Sequence, residues 1–241
     1  MIRELISATL FCFIMGGTVP SVGRLELPYS KNVPAQELTG SVAGKIELRA
    51  APQIIRRERG GRYQTTGSMS EMNEHTMKRS EQRNVVLYLE GGMTEKVGLQ
   101  NSAHGVMDQQ QAAFIPHVLA VQKGSVVDFV NHDETYHNVF SLSPAKKFNI
   151  GRRPTGEKVP VQFDKSGVVQ VFCDIHSQMT AFVVVLDSPF FVQPEEDGSF
   201  RIDHVPPGTY TLKVWHERLA APDQKITVTA GGTTKANLVL E

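Results

Sequence analysis

The chain has 241 residues, with 25 Lys and Arg against 25 Asp and Glu, and 40% of its residues are hydrophobic. A balance of that kind gives no electrostatic footing for nucleic acid or an anionic membrane, so neither is expected as a partner. With 20 Gly, 13 Pro and no long helical periodicity, the composition excludes a helical bundle and points to an all-β protein of one large or two small domains.

At the N-terminus, Arg3 precedes an apolar run from Leu5 to Met15 interrupted by Ser7 and Thr9, and small or turn-forming residues follow at Gly16, Gly17, Pro20, Ser21 and Gly23. Residues 1–23 read as a secretory signal, too short to span a bilayer comfortably. Glu4 is unusual there and leaves an uncleaved anchor as the alternative. The expected mature chain is exported, periplasmic or otherwise, with no transmembrane domain. Cys12 falls in the removed segment, so Cys173 is the single cysteine left and no intramolecular disulfide can form. A lone thiol in an oxidising compartment calls for a reason: ligation of a metal, or burial as a small hydrophobe.

Leu38 to Arg49 reads as the first strand, with Val42, Ile46 and Leu48 on one face. The polar stretch 55–83 reads as a long mobile loop. It carries Met69, Met72, His75 and Met77, either a thioether-rich arm for loading Cu(I) or incidental loop residues. Val85 to Leu89 is a second strand, stopped at Gly91-Gly92, and a polar connector follows.

Phe114 opens a denser β region. Strands are expected at Val118 to Val121, Val126 to Val130, Asn138 to Leu142, Val159 to Phe163, Val168 to Phe172 and Thr180 to Leu186. Lys123-Gly124 and Lys165-Ser166-Gly167 mark turns. Short strands at this spacing suggest a sandwich with Greek-key connections. Beyond Ser188, turns at Glu195 to Gly198, Pro206 to Gly208 and Gly231-Gly232 separate strands around Phe200, Tyr210 to Val214, Ile226 to Val228 and Leu238 to Leu240.

The chemistry concentrates in Cys173-Asp174-Ile175-His176-Ser177-Gln178-Met179 and, upstream, Tyr136-His137-Asn138-Val139-Phe140. Two imidazoles, one thiolate and a weakly held thioether are the ligand set of a blue-copper site. Soft sulfur favours Cu(I), imidazole accepts either oxidation state, and a rigid β-scaffold keeps the geometry nearly constant between them. Zinc is the main competitor for a Cys-His site, but methionine is not among its usual ligands. A binuclear copper centre would need a second cysteine in the loop. His117 reads as structural, His132 and Asp133 as solvated loop residues, and His204 and His216 as bystanders. Phe140 and Phe172 read as core packing.

From Phe114 to about Asp187 the sequence resembles the cupredoxins of the plastocyanin and amicyanin branch. The resemblance is carried by Phe114-Ile115-Pro116, Val121 to Asn131, His137 to Phe140, Gly167 and the short loop from Cys173 to Met179. It implies one copper ion per chain, held by His137, Cys173 and His176 in a plane with Met179 as distant axial ligand. It implies that Asn138 ties the two ligand-bearing strands together beside the sulfur and tunes the potential. His176 would be the ligand nearest the surface, with Ile175 and Met179 in an apolar docking patch.

The flanking segments, Asp197 to Ile202 and Val205 to Leu212, with the two early strands, resemble carboxypeptidase regulatory-like (transthyretin-like) sandwiches. The organisation this implies is a first part at 36–100, a cupredoxin domain at 105–187 inserted into it, and a second part at 188–241. The expected function is single-electron transfer between redox partner proteins, without substrate chemistry. Copper storage, delivery or sensing with the same ligands is the alternative. A copper oxidase or reductase would need a second metal, and no second cluster of His at ligand spacing occurs. An adhesion or carbohydrate-binding role for the flanking sandwich stays open.

Overall fold

A computed structural model describes residues 39–49, 81–92 and 104–241. The signal segment, the Met69, Met72, His75 and Met77 cluster and most of the 55–83 stretch lie outside the described residues.

The chain is all-β. Two strands come first, β1 (Gly40–Leu48) and β2 (Val86–Glu90). Next are β3 (His104–Gln110), β4 (Ala113–Ile115), β5 (Val118–Gln122), β6 (Val126–Asn131), β7 (Phe140–Ser143) and β8 (Lys146–Asn149). Then follow β9 (Lys158–Gln162), β10 (Gly167–Phe172) and β11 (Thr180–Leu186). The last six are β12 (Phe191–Val192), β13 (Ser199–Val205), β14 (Gly208–Trp215), β15 (Gln224–Val228), β16 (Thr233–Lys235) and β17 (Leu238–Leu240).

Strands β3 to β11 make two sheets, β4-β3-β6-β9 and β5-β11-β10-β7-β8. Their inner faces enclose Met107, Val127, Phe129, Val139, Phe163, Val169, Val171 and Val183, all buried. Cys173 and Met179 belong to the same core, at its end. The other strands make a second pair of sheets, β13-β1-β16 with β17 also on β1, and β12-β2-β14-β15. Val42, Ile46, Leu87, Leu89, Ile202, Tyr210, Leu212 and Leu240 fill the space between them. β1 lies so close to its neighbour that a Cβ at Gly44 would overlap the carbonyl of Ala236, which makes glycine obligatory there. Tyr210 donates its hydroxyl to the Pro206 carbonyl at 2.9 Å, fixing the turn into β14.

Period-two alternation explains how the two sandwiches join. In β2, Leu87 and Leu89 point into one core while Val86 and Tyr88 point the other way. In β11, Ala181, Val183 and Val185 point into the other core while Phe182, Val184 and Leu186 turn outward. The outward sets meet, with Val118 and Trp215, in a third apolar cluster, and Phe182 lies against Trp215 at 5.4 Å between ring centroids. The near-continuous apolar runs of β2 and β11 are therefore those of strands buried on both faces. Gln193 adds polar ties at the same junction, donating to the carbonyls of Arg83 (2.6 Å) and Val118 (3.1 Å).

Several expectations need correction. The polar connector before Phe114 contains β3, a full strand whose inward positions are Met107 and Gln109. Gln109 is only 1% exposed and donates to the Val130 carbonyl, so a polar side chain stands where alternation called for an apolar one. β8 and β4 also escaped notice. β7 begins at Phe140 rather than Asn138, because His137 leaves the ladder for an isolated bridge to Arg153. The last positions of the 55–83 stretch are anchored: Glu81 and Gln82 form a helical turn, and Arg218 pairs with Glu81.

His216 is buried, and its Nδ1 accepts the amides of Arg218 (3.3 Å) and Leu219 (3.1 Å). Burial pushes its pKa below the usual imidazole range, against the opposing pull of Glu217. The unfolded ring takes a proton near about pH 6.5, whereas the folded ring resists it. Stability is then lost as pH falls from about 6.5 towards the depressed folded value. His216→Gln is expected to flatten this slope in urea unfolding followed from about pH 7.5 to about pH 5. An unchanged slope would exclude His216 as its source.

Candidate metal centre

The two ligand-bearing segments approach at one end of the β3 to β11 sandwich. β10 and β11 pair antiparallel as far as Phe172 and Thr180. The ladder then continues into the loop, where Cys173 N donates to the Met179 carbonyl (3.2 Å) and Met179 N donates to the His176 carbonyl (2.9 Å). These two bonds fold the seven residues from Cys173 to Met179 tightly enough to bring Cys173 and His176 to the same place.

His137 arrives from the other side. Its backbone exchanges hydrogen bonds with Arg153 at 3.2 and 2.7 Å. The preceding loop is braced by the fully buried Asn131, which donates Nδ2 to the carbonyls of Thr135 (2.8 Å) and Arg153 (3.0 Å). Asn131 also accepts the amide of Asp133 at 3.0 Å, an Asx turn that sets the course of the loop.

Among the described residues, His137, Cys173 and His176 form a group whose ligand atoms all lie within 4.8 Å of one another. The Nδ1 atoms of His137 and His176 are 3.1 Å apart, and Cys173 Sγ is 3.8 Å from His137 Nδ1. One ion bound at about 2.0 Å by nitrogen and about 2.3 Å by thiolate spaces its donors by about 3.3–3.8 Å, so the two observed separations lie within a few tenths of an ångström of what a single metal would need. His137 is 0% exposed, and Met179, 1% exposed, lies in the core cluster that contains Cys173. His176 is half-buried and thus the member of the group closest to solvent.

His137 Nε2 faces away from the group. It meets Asp133 Oδ2 at 2.8 Å, with Thr135 Oγ1 at 3.4 Å. Burial opposes ionisation of Asp133, but the amides of Ala112 and Gln111 and the ring of His137 together hold its carboxyl below the usual range. An ionised carboxylate only accepts, so Nε2 carries the proton and Nδ1 presents its lone pair inward.

Asp133 is therefore no solvated bystander, and the sequence reading missed it together with Asn131. Its position four residues before His137, after an Asn at the strand end, was the available signal. Two further expectations fail. Met179 is too buried to contribute to a docking patch, whereas Ile175 is 39% exposed. Phe140 and Phe172 belong to none of the three cores; they lie against each other at 5.7 Å between ring centroids, on the face opposite Val171 and Cys173. Asn138 is buried, but its Oδ1 has no hydrogen-bond partner among the described residues, so no tie between the segments bearing His137 and Cys173 is made there through that atom. His117 is structural: it contacts the Thr180 carbonyl (3.1 Å) and Glu217 (3.3 Å), one from each sandwich.

A family model described as polysaccharide lyase family 4, domain II, matches residues 186–236. Comparison with curated proteins gives no match. Solved structures with partial likeness include a purple cupredoxin from Nitrosopumilus maritimus, 22% identical, covering 34% of this chain and 99% of that one, with TM-score 0.31. A variant of amicyanin in its reduced Cu(I) form is 17% identical over 42% of this chain and 98% of its own, with TM-score 0.33. A copper-containing nitrite reductase from Thermus scotoductus SA-01 is 20% identical over 40% of this chain and 25% of its own, with TM-score 0.34. Likeness of this extent leaves function to be judged from the side chains themselves.

Asn131→Ala removes the brace on the His137 loop and strands two carbonyls, which is expected to cost about 1–3 kcal/mol. A chemical denaturation midpoint that does not move would mean that the bridge between His137 and Arg153 holds the loop alone.

Proposed function

We propose that the protein is an exported, periplasmic or otherwise secreted, mononuclear blue-copper protein that carries single electrons between redox partners. The observation that supports this most is the convergence of two imidazole Nδ1 atoms and one thiol at the end of a rigid β-sandwich. His137, Cys173 and His176 would hold the ion, one per chain, with Met179 as a weaker fourth donor and Asn138 beside them. Copper in such a ligand set supplies a one-electron couple with little change of geometry.

The chain's own residues supply the rest. Burial of His137, Cys173 and Met179 keeps water from the inner side of the site. The half-buried His176, next to the exposed Ile175, is the proposed point of electron exchange, through a small and transient interface. The inventory of donors favours copper over zinc because methionine, not a hard fourth ligand, lies in the same loop. No helix among the described residues is long and apolar enough to cross a membrane. The second sandwich is proposed to be a carboxypeptidase regulatory-like module that packs against the copper domain and adds no redox group.

Addition of Cu(II) to the purified protein is expected to give one bound ion per chain, intense thiolate-to-copper absorption in the visible and a reversible voltammetric wave. Cys173→Ser is expected to abolish the colour. A colourless complex with no reversible wave would count against electron transfer and favour storage or delivery of the metal.

A further inference from the structure

We infer that the two-residue turn Gln111–Ala112, acting through Asp133, fixes which nitrogen of His137 faces the metal group. This rests on the copper reading for its consequence, though not for its geometry.

The turn joins β3 to β4, with Gln110 paired to Ala113 across it. Both turn residues have positive φ, 55° at Gln111 and 53° at Ala112, although neither is glycine. Positive φ at both centres suits the right-handed twist of a tight hairpin, but it is a conformation that side-chain-bearing residues disfavour. A nest of successive amides aimed at one point makes an anion-binding concavity. Asp133 occupies it: Gln111 N donates to Oδ1 at 2.6 Å and Ala112 N donates to Oδ2 at 2.8 Å. The same Oδ2 accepts His137 Nε2 at 2.8 Å.

Three donors thus converge on two oxygens, and no neutral side chain of this shape satisfies all three. An asparagine in place of Asp133 has one oxygen and one amide nitrogen. In one orientation its NH2 faces the Gln111 N–H, and in the other it faces both the Ala112 N–H and the imidazole. With the amide nitrogen against His137, the ring would be driven to the opposite tautomer, placing a proton on Nδ1 where the metal must bind. Asp133 is a positioning residue: it touches neither Cys173 nor His176, and its effect passes through the imidazole. Sequence separation hides the device, since the turn at Gln111–Ala112 and the loop at Asp133 are some twenty residues apart along the chain.

The test uses the full chain labelled with 15N and compares wild type with Asp133→Asn and Asp133→Leu. In the metal-free wild type, long-range nitrogen–proton correlations should show His137 protonated on Nε2. In Asp133→Asn the Nδ1–H form should gain population over wild type, and more so in Asp133→Leu, which offers Nε2 no acceptor, and Cu(II) affinity should fall by about 10–100-fold. If Cu(I) affinity is unchanged, each tenfold loss raises the reduction potential by about 59 mV. A wild-type ring protonated on Nδ1, or an Asp133→Asn variant that keeps the wild-type tautomer, affinity and potential, would overturn the inference. Should the variant fail to fold, the wild-type spectrum alone decides it. A wild type that has the Nε2–H tautomer but takes up no copper would refute the copper reading and leave the positioning role standing.

Discussion

Burying an imidazole away from water costs about 1–3 kcal/mol for each polar atom left without a partner, and His137 is buried completely. The structure meets that cost on both sides of the ring. One nitrogen donates to Asp133, which is itself gripped by the β3–β4 turn, and the other faces Cys173 and His176. The arrangement imposes a direction: turning the ring takes one of three donors from the Asp133 carboxylate and removes the ring N–H from its acceptor. The local fold around the site, from the Asn131 brace to the bridge with Arg153, serves to hold this one ring in this one orientation.

The remaining scaffold explains why the site can be rigid. β10 and β11 carry the ligand loop, and β11 is buried on both faces, by its own sandwich inside and by β2 and Trp215 outside. A strand packed on two sides has little freedom to shift, because close-packed interiors resist even small changes of volume. The second sandwich thereby packs on the outer face of the strand that follows the Cys173–Met179 loop. His117, which touches the Thr180 carbonyl one residue beyond Met179 and also Glu217, is a polar link in the same support.

Much of this was legible in the residues, and what was not has identifiable physical causes. Alternation announced β1, short apolar runs bounded by turns announced β5, β6, β10 and β11, and the order His137, Cys173, His176 announced a metal group. β3 was hidden because Gln109 stands at a core position with its side-chain amide donating to the Val130 carbonyl, which no hydropathy pattern conveys. Asp133 was hidden because a charged residue in a polar turn reads as solvated until the amides of Gln111 and Ala112 are brought to it from a distant turn. The apolar runs of β2 and β11 marked them as strands, but nothing in them told that both faces are buried or that each covers the other. Phe140 and Phe172 misled in the opposite sense, being apolar side chains that pair on the outer face.

The central claim is that two imidazole nitrogens and one thiolate share a single copper ion. X-ray absorption at the copper edge of the loaded protein measures this most directly. Two nitrogen scatterers at about 2.0 Å and one sulfur at about 2.3 Å or slightly less are expected, with the sulfur lost in Cys173→Ser. A shell made of nitrogen and oxygen alone, unchanged by that substitution, would contradict it.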